Sequence, residues 1–331
     1  MNPNAVDTTL LVAYTEDHQM ELVKIAVTEN EVFKKLDVIT GIKDKYTVTA
    51  LRFQRLLRPY TRDWAPGTDK AKLIPRTGRV EIGEIMLEEE PINYRKSWLG
   101  KLLKEGLNPA DHPFEKDFTE GIAAQAASDF NDITAFWGVR NAEGSEPEDV
   151  NDGFMTIINK EIVAGKISVL EKNLILTGDI DSTNAVDKLK AFYRNACNLN
   201  PALRGKEIKL HVSHDVMNAY NDHYQSKNLA LPYNKEFEKT FLEVSGNKCE
   251  IVPLTGMGNS KRIILTPHWN MSVLTDLTGD QENVKITTGI NPKIIGFYLA
   301  AAYGVQIWTI NSVFFTNEKE VDDVPEVIPG G

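Results

Sequence analysis

Cysteine is scarce: Cys197 and Cys249 are the only two in 331 residues. No CxxC joins them, which removes a zinc ribbon and a dithiol redox centre. Both read as buried thiols packing as small apolar groups. No apolar run approaches the ~20 residues needed to cross a bilayer. The stretch Met1–Leu10 lacks the basic end and apolar core of a secretion signal, so a cytosol-like compartment is expected. No GxxxxGK[ST], GxSxG or HExxH is present. Gly256-Met-Gly258-Asn-Ser-Lys261 fits neither a phosphate loop nor a dinucleotide fingerprint and reads as a tight turn. No internal repeat is visible. Net positive charge is also lacking: the chain carries −10. That argues against general binding to DNA, while leaving room for a protein that lies near DNA without adhering.

Histidine is rare, and His211, His214, Asp215 and His223 form the one cluster. A metal site needs converging ligands and a second shell, which this spacing does not secure. A helix start and surface polarity account for these residues. Asp179-Ile-Asp181-Ser-Thr-Asn184 departs from a calcium loop, because Asn184 stands where glycine belongs and Lys190 where an acid belongs. Capping of the following helix by Asp181 or Ser182 is the expected role. No catalytic, cofactor or metal residue is assigned.

What is present is an ordinary globular composition, 42% hydrophobic and 25% charged, long enough for two or three packed units. Residues 1–45 start irregularly and then carry a rough helical stripe of Leu22, Ile25, Val32, Phe33 and Leu36. Tyr46, Val48 and Ala50 alternate with threonines as a strand, and Val80 and Ile82 begin a second that runs to about Leu87. Pro59, Pro66, Gly67, Pro75 and Gly78 break the interval between them. The expected element is a long two-stranded ribbon with an irregular tip. An isolated ribbon is marginal in water, so something outside the subunit's own core is expected to hold it.

Charge singles out the same stretch. Arg52, Arg55, Arg58, Arg62, Lys70, Lys72, Arg76 and Arg79 face only Asp63 and Asp69, a net +6 arm on a −10 chain. Opposite charge on arm and body favours docking onto a neighbour. A solvated basic loop is the plain alternative, and nucleic-acid contact a weaker one. Trp64, between prolines at the tip, suits a partner surface or local packing. The acids Glu88, Glu89 and Glu90 suit a solvated face or a docking place for a neighbour's arginines, rather than acid–base chemistry.

Residues 112–139 read as the clearest helix. Pro113, Glu115 and Asp117 suit its first turn. Phe114, Phe118, Ile122, Ala126, Phe130, Ile133 and Trp137 recur at three- and four-residue steps, which requires a sheet or helix beneath. Helices and strands then alternate over 153–275, and 271–315 is strand-rich. This mixed order predicts an α+β fold. The last fifteen residues are acidic and read as a tail.

This order resembles the major capsid proteins of tailed bacteriophages, the family with the Hong Kong 97 shell fold. Asp181 to Asn195 followed by Ile208-Lys209-Leu210-His211-Val212-Ser213 resembles the helix and strand that open its A-domain. Ile251-Val252-Pro253-Leu254, Gly256-Met257 and Arg262 to Pro267 resemble a recurring turn and strand pair. Gly296-Phe297-Tyr298 and Tyr303 to Ile307 resemble the closing strands. The resemblance covers nearly the whole chain and implies an N-terminal arm over 1–45 and an E-loop over 46–95. It implies a P-domain over 96–164 and 276–316, with a spine helix over 113–137. An A-domain over 165–275 and an acidic tail over 317–331 complete the division, with the final strand open to either domain.

The resemblance further implies a non-enzymatic subunit without cofactor. It would assemble with itself into hexamers and pentamers of an icosahedral virion shell around dsDNA, inside the bacterial host cytoplasm. A separate scaffold protein is expected, because only some 45 residues precede the E-loop. A portal, and possible decoration proteins, complete the partners; no membrane is involved. Two rivals stand beside this reading: an encapsulin-like compartment shell, and a soluble α/β enzyme with an undetected site.

Overall fold

The computed structural model describes residues 8–28, 31–53, 60, 71–90, 114–228, 233–234, 239–276, 284–288, 294–311 and 313–318, with 93, 94, 96, 97, 99, 100 and 104. Three short helices come first: α1 (Thr8–Asp17), α2 (Gln19–Thr28) and α3 (Glu31–Lys35). Strands β1 (Asp37–Thr40), β2 (Lys45–Phe53), β3 (Ala71–Arg79) and β4 (Glu81–Glu89) follow. The long helix α4 (Phe114–Asp129) runs through a π-turn (Phe130–Thr134) into α5 (Ala135–Trp137), and α6 (Phe154–Val163) comes next. Then come β5 (Leu174–Leu176), α7 (Ala185–Leu199), β6 (Ile208–Val212), α8 (His214–Asn228) and the small pair β7 (Tyr233–Asn234) and β8 (Lys239–Thr240). The chain continues through β9 (Cys249–Pro253), β10 (Ile264–Thr266), β11 (Met271–Thr275), β12 (Val284–Thr288), β13 (Ile295–Ile307) and β14 (Phe315–Glu318).

Two five-stranded sheets organise these elements. The first is ordered β1-β11-β13-β12, with β4 on β13. One face of it is apolar by alternation: Phe297 and Leu299 pack with Leu22, Ala26, Ala123 and Ala126, so that α2 and α4 cover this face. The second sheet is ordered β5-β14-β10-β6-β9. Its Leu210, Val212, Ile251 and Leu265 meet Leu189, Phe192, Val216 and Tyr220 of α7 and α8. Between the sheets lies a shared core that holds Phe130, Phe136, Phe154, Val252, Ile264, Val273, Val305 and Phe314.

The expected division of the chain changes at four places. The end of the supposed arm, Asp37–Thr40, is a strand parallel to β11. The ribbon is β2 with β3, paired from Lys45↔Arg79 to Phe53↔Ala71. The second predicted strand, β4, leaves the ribbon and pairs with β13 from Glu81↔Tyr303 to Glu89↔Ile295. Strand β11, placed within 165–275, belongs to the first sheet with β13. Strand β14 crosses back into the second sheet between β5 and β10, so residues 317 and 318 are core strand rather than tail.

Candidate assembly surfaces

The base of the ribbon is fixed to its own subunit. Ile42, Val80, Leu274 and Trp308 form a small core on the face of the first sheet opposite the helices. Tyr46 meets the Trp308 ring edge-on at 5.5 Å, and the Gln306 side-chain amide donates to the Thr77 carbonyl at 2.7 Å. Only glycine allows the chain to cross here, since a Cβ on Gly304 would lie 2.1 Å from the Arg79 carbonyl oxygen. Arg76 is spent inside the chain as well: it pairs with Glu161 of α6 at 2.9 Å, both side chains only 14% exposed. The expectation that an outside surface holds the whole ribbon is therefore corrected for its base. Arg76 is removed from the set offered to a neighbour, because a largely buried guanidinium already facing a carboxylate has little to gain elsewhere.

Farther out the ribbon is unlike its base. Leu51 and Leu73 stand opposite each other in register and are 53% and 65% exposed. Arg52 and Lys72 form the next register pair on strands β2 and β3. Arg79 is exposed at the root. Arg55, Arg58, Arg62, Trp64 and Lys70 lie outside the described residues. Beside the ribbon's root, β4 leaves Ile82 and Met86 exposed on the uncovered sheet face, alternating with Glu84 and Glu88. Glu81 is tied to Arg140 at 3.2 Å.

The spine helix carries its predicted stripe only as far as Phe130. Phe114, Ala126 and Phe130 are buried, and Phe118 and Ile122 are half-buried. At the π-turn the Ala135 N–H reaches back five residues to the Phe130 carbonyl. The extra residue turns the remainder by about 100°. Thr134, Ala135 and Phe136 therefore face the core, while Ile133 and Trp137 come out 37% and 43% exposed. Contacts from two distant segments account for the turn. The Asn131 side-chain oxygen accepts from the Val32 N–H of α3 at 3.2 Å. Gly256 fits so close that a Cβ there would sit 2.2 Å from the Asn131 carbonyl oxygen. Trp137 then donates its indole N–H to the Gly256 carbonyl at 3.0 Å. No sequence periodicity carries this signal; the glycine at 256 is its only trace.

The histidine cluster disperses. His223 accepts the Val186 N–H on Nδ1 at 3.0 Å and caps α7 from the side. His214 lies on the other side, near Thr255 and Glu31. His211 is fully buried in β6 with neither ring nitrogen bonded; burial, then Lys209, His268 and Lys35, push its pKa down to about 3. Asp181 accepts the N–H and hydroxyl of Thr183, and these bonds hold its carboxyl below its usual range. Its side chain shapes the turn ahead of α7, while its carbonyl accepts from the Ala185 N–H at 3.0 Å. Among the described residues no group of three or more His, Cys, Asp or Glu converges as a metal site, and no helix is long and apolar enough to cross a membrane.

No protein-family model and no curated protein matches the chain. Solved structures do. The chain is similar to a chain of the satellite phage P4 procapsid that includes the size determination (Sid) protein, at 13% identity and TM-score 0.54, over 95% of this chain and 91% of that one. It is similar to the cyanophage A-1(L) capsid, at 10% identity and TM-score 0.52, over 88% and 93%. It is also similar to the capsid of a native GTA particle, at 12% identity and TM-score 0.51, over 86% and 94%. At such identities the likeness is one of fold. The chain has the α+β phage capsid fold, Hong Kong 97-like.

Proposed function

We propose that this protein is the major capsid protein of a tailed phage, self-assembling into the icosahedral head shell that encloses dsDNA. The observation that carries this reading is the ribbon: its root is bolted to the first sheet, and beyond it Leu51 and Leu73 are displayed to solvent. A monomer gains nothing by ordering such an element; a neighbouring copy that covers it does. Capsid neighbours matched over nearly their full lengths support the same reading. The arm residues Arg52, Arg55, Arg58, Arg62, Lys70 and Lys72 then meet acids of an adjacent copy, and Trp64 anchors the tip. The acidic remainder keeps packaged DNA from adhering to the shell. A separate scaffold protein, a portal and decoration proteins are the expected further partners, with assembly in the host cytoplasm.

The test is a triple reversal, Arg55→Glu, Arg58→Glu and Arg62→Glu. The account expects loss of large particles in sedimentation, with the monomer's unfolding midpoint unchanged. Normal particles from this variant contradict arm docking.

A further inference from the structure

The second sheet has two unlike edges. At its β5 edge, residues 164–173 form a compact turn that displays Val169 and Leu170, 52% and 91% exposed. The turn is built firmly. Ile167 is buried beneath it. The side-chain oxygen of buried Asn173 accepts from the Ser168 N–H, and its amide donates to the carbonyls of Lys166 and Ile310. The Glu171 N–H donates to the Ser168 hydroxyl, and the Lys172 N–H to the Val169 carbonyl. A leucine held this firmly in water forgoes apolar burial that a partner surface would supply.

At the opposite edge, beside β9, lies a groove of about 550 Å³. Ile208 and Phe241 provide its apolar surface, and Glu207, Lys248, Glu250 and His268 its polar surface. Its rim is the turn around Gly246 and Asn247, both at positive φ. Strand direction puts groove and knob at the same end of the sheet. β5 is parallel to β14, β14 and β6 are each antiparallel to β10, and β6 is parallel to β9. The two features thus lie four strand spacings apart, roughly 19 Å. Glu171 and Lys172 follow the knob, and Lys248 with Glu207 and Glu250 offer both opposite signs at the groove.

We infer that the Val169–Leu170 knob of one copy seats in the groove of the next copy of this chain. The inference rests on the shell reading and supplies one of its contacts. A knob and a groove on opposite edges make a heterologous contact, which propagates head to tail and closes into a ring when the rotation between copies closes.

Two measurements decide it. Particles are assembled from an equal mixture of Leu170→Cys and Lys248→Cys subunits and treated with a short bis-maleimide; the native Cys197 and Cys249 are buried. The contact predicts linked dimers from the mixture and only monomers from particles of either variant alone. Linked dimers from Leu170→Cys alone, or none from the mixture, overturn it. Separately, Leu170→Asp should cut particle yield at least tenfold with an unchanged unfolding midpoint, and full yield overturns the knob's role. If wild-type particles form while these tests fail, the shell reading stands, whereas wild-type protein that forms no particles with or without scaffold candidates removes both.

Discussion

Arg262 and Glu318 are only 11% and 10% exposed and face each other, with Asn159 bonding the guanidinium at 2.7 Å. Arg262→Ala should cost roughly 3–5 kcal/mol, because it strands a buried carboxylate. Replacing both partners by methionine should recover most of that loss, and urea unfolding of the monomer measures both. His211 makes a pH prediction. Its folded pKa lies near 3 and its unfolded value near 6.5, so between these the unfolded chain binds the extra proton. His211 therefore imposes no penalty above about pH 6.5, and its neutral burial costs about 1.4 kcal/mol more per unit as pH falls toward 3. His211→Leu should flatten the acid limb of stability against pH by about that slope. An unchanged slope contradicts the burial argument.

At the scale of elements, the spine helix is where sequence and structure part most usefully. Its start, length and first five turns were legible, because acids and proline mark its beginning and apolar steps its face. Its last turn was not, because the π-turn is braced by α3, 99 residues distant at the Val32–Asn131 bond, and by Gly256 still farther along the chain. Gly256→Ala should therefore destabilise the fold by at least about 2 kcal/mol, since the new Cβ would overlap the Asn131 backbone; thermal unfolding checks it. The ribbon was legible as alternation and charge, yet the switch of partner at Val80 was not. β3 and β4 are consecutive, and only the close crossing at Gly304 separates them. Residues 317 and 318 read as tail because the burial of β14 is supplied by β5 and β10, while its own sequence, Phe315-Thr-Asn-Glu318, is polar after its first residue. Among the described arm residues, Arg76 pairs within its own subunit, and its partner Glu161 is invisible without the fold.

At the scale of the whole molecule, the chain joins two unlike halves. Two sheets, helix-covered and joined by a common core, are self-sufficient. The outer ribbon, the bare face of β4 and the Leu170 knob are not, and they point outward from it. On the proposed shell reading, each such surface is used once per subunit. Negative-stain electron microscopy of the purified full chain, with and without scaffold candidates, tests this most directly. The account predicts closed shells, tubes, or rings of five or six subunits. A uniform monomer under every condition, with the ribbon protected from protease, would contradict it.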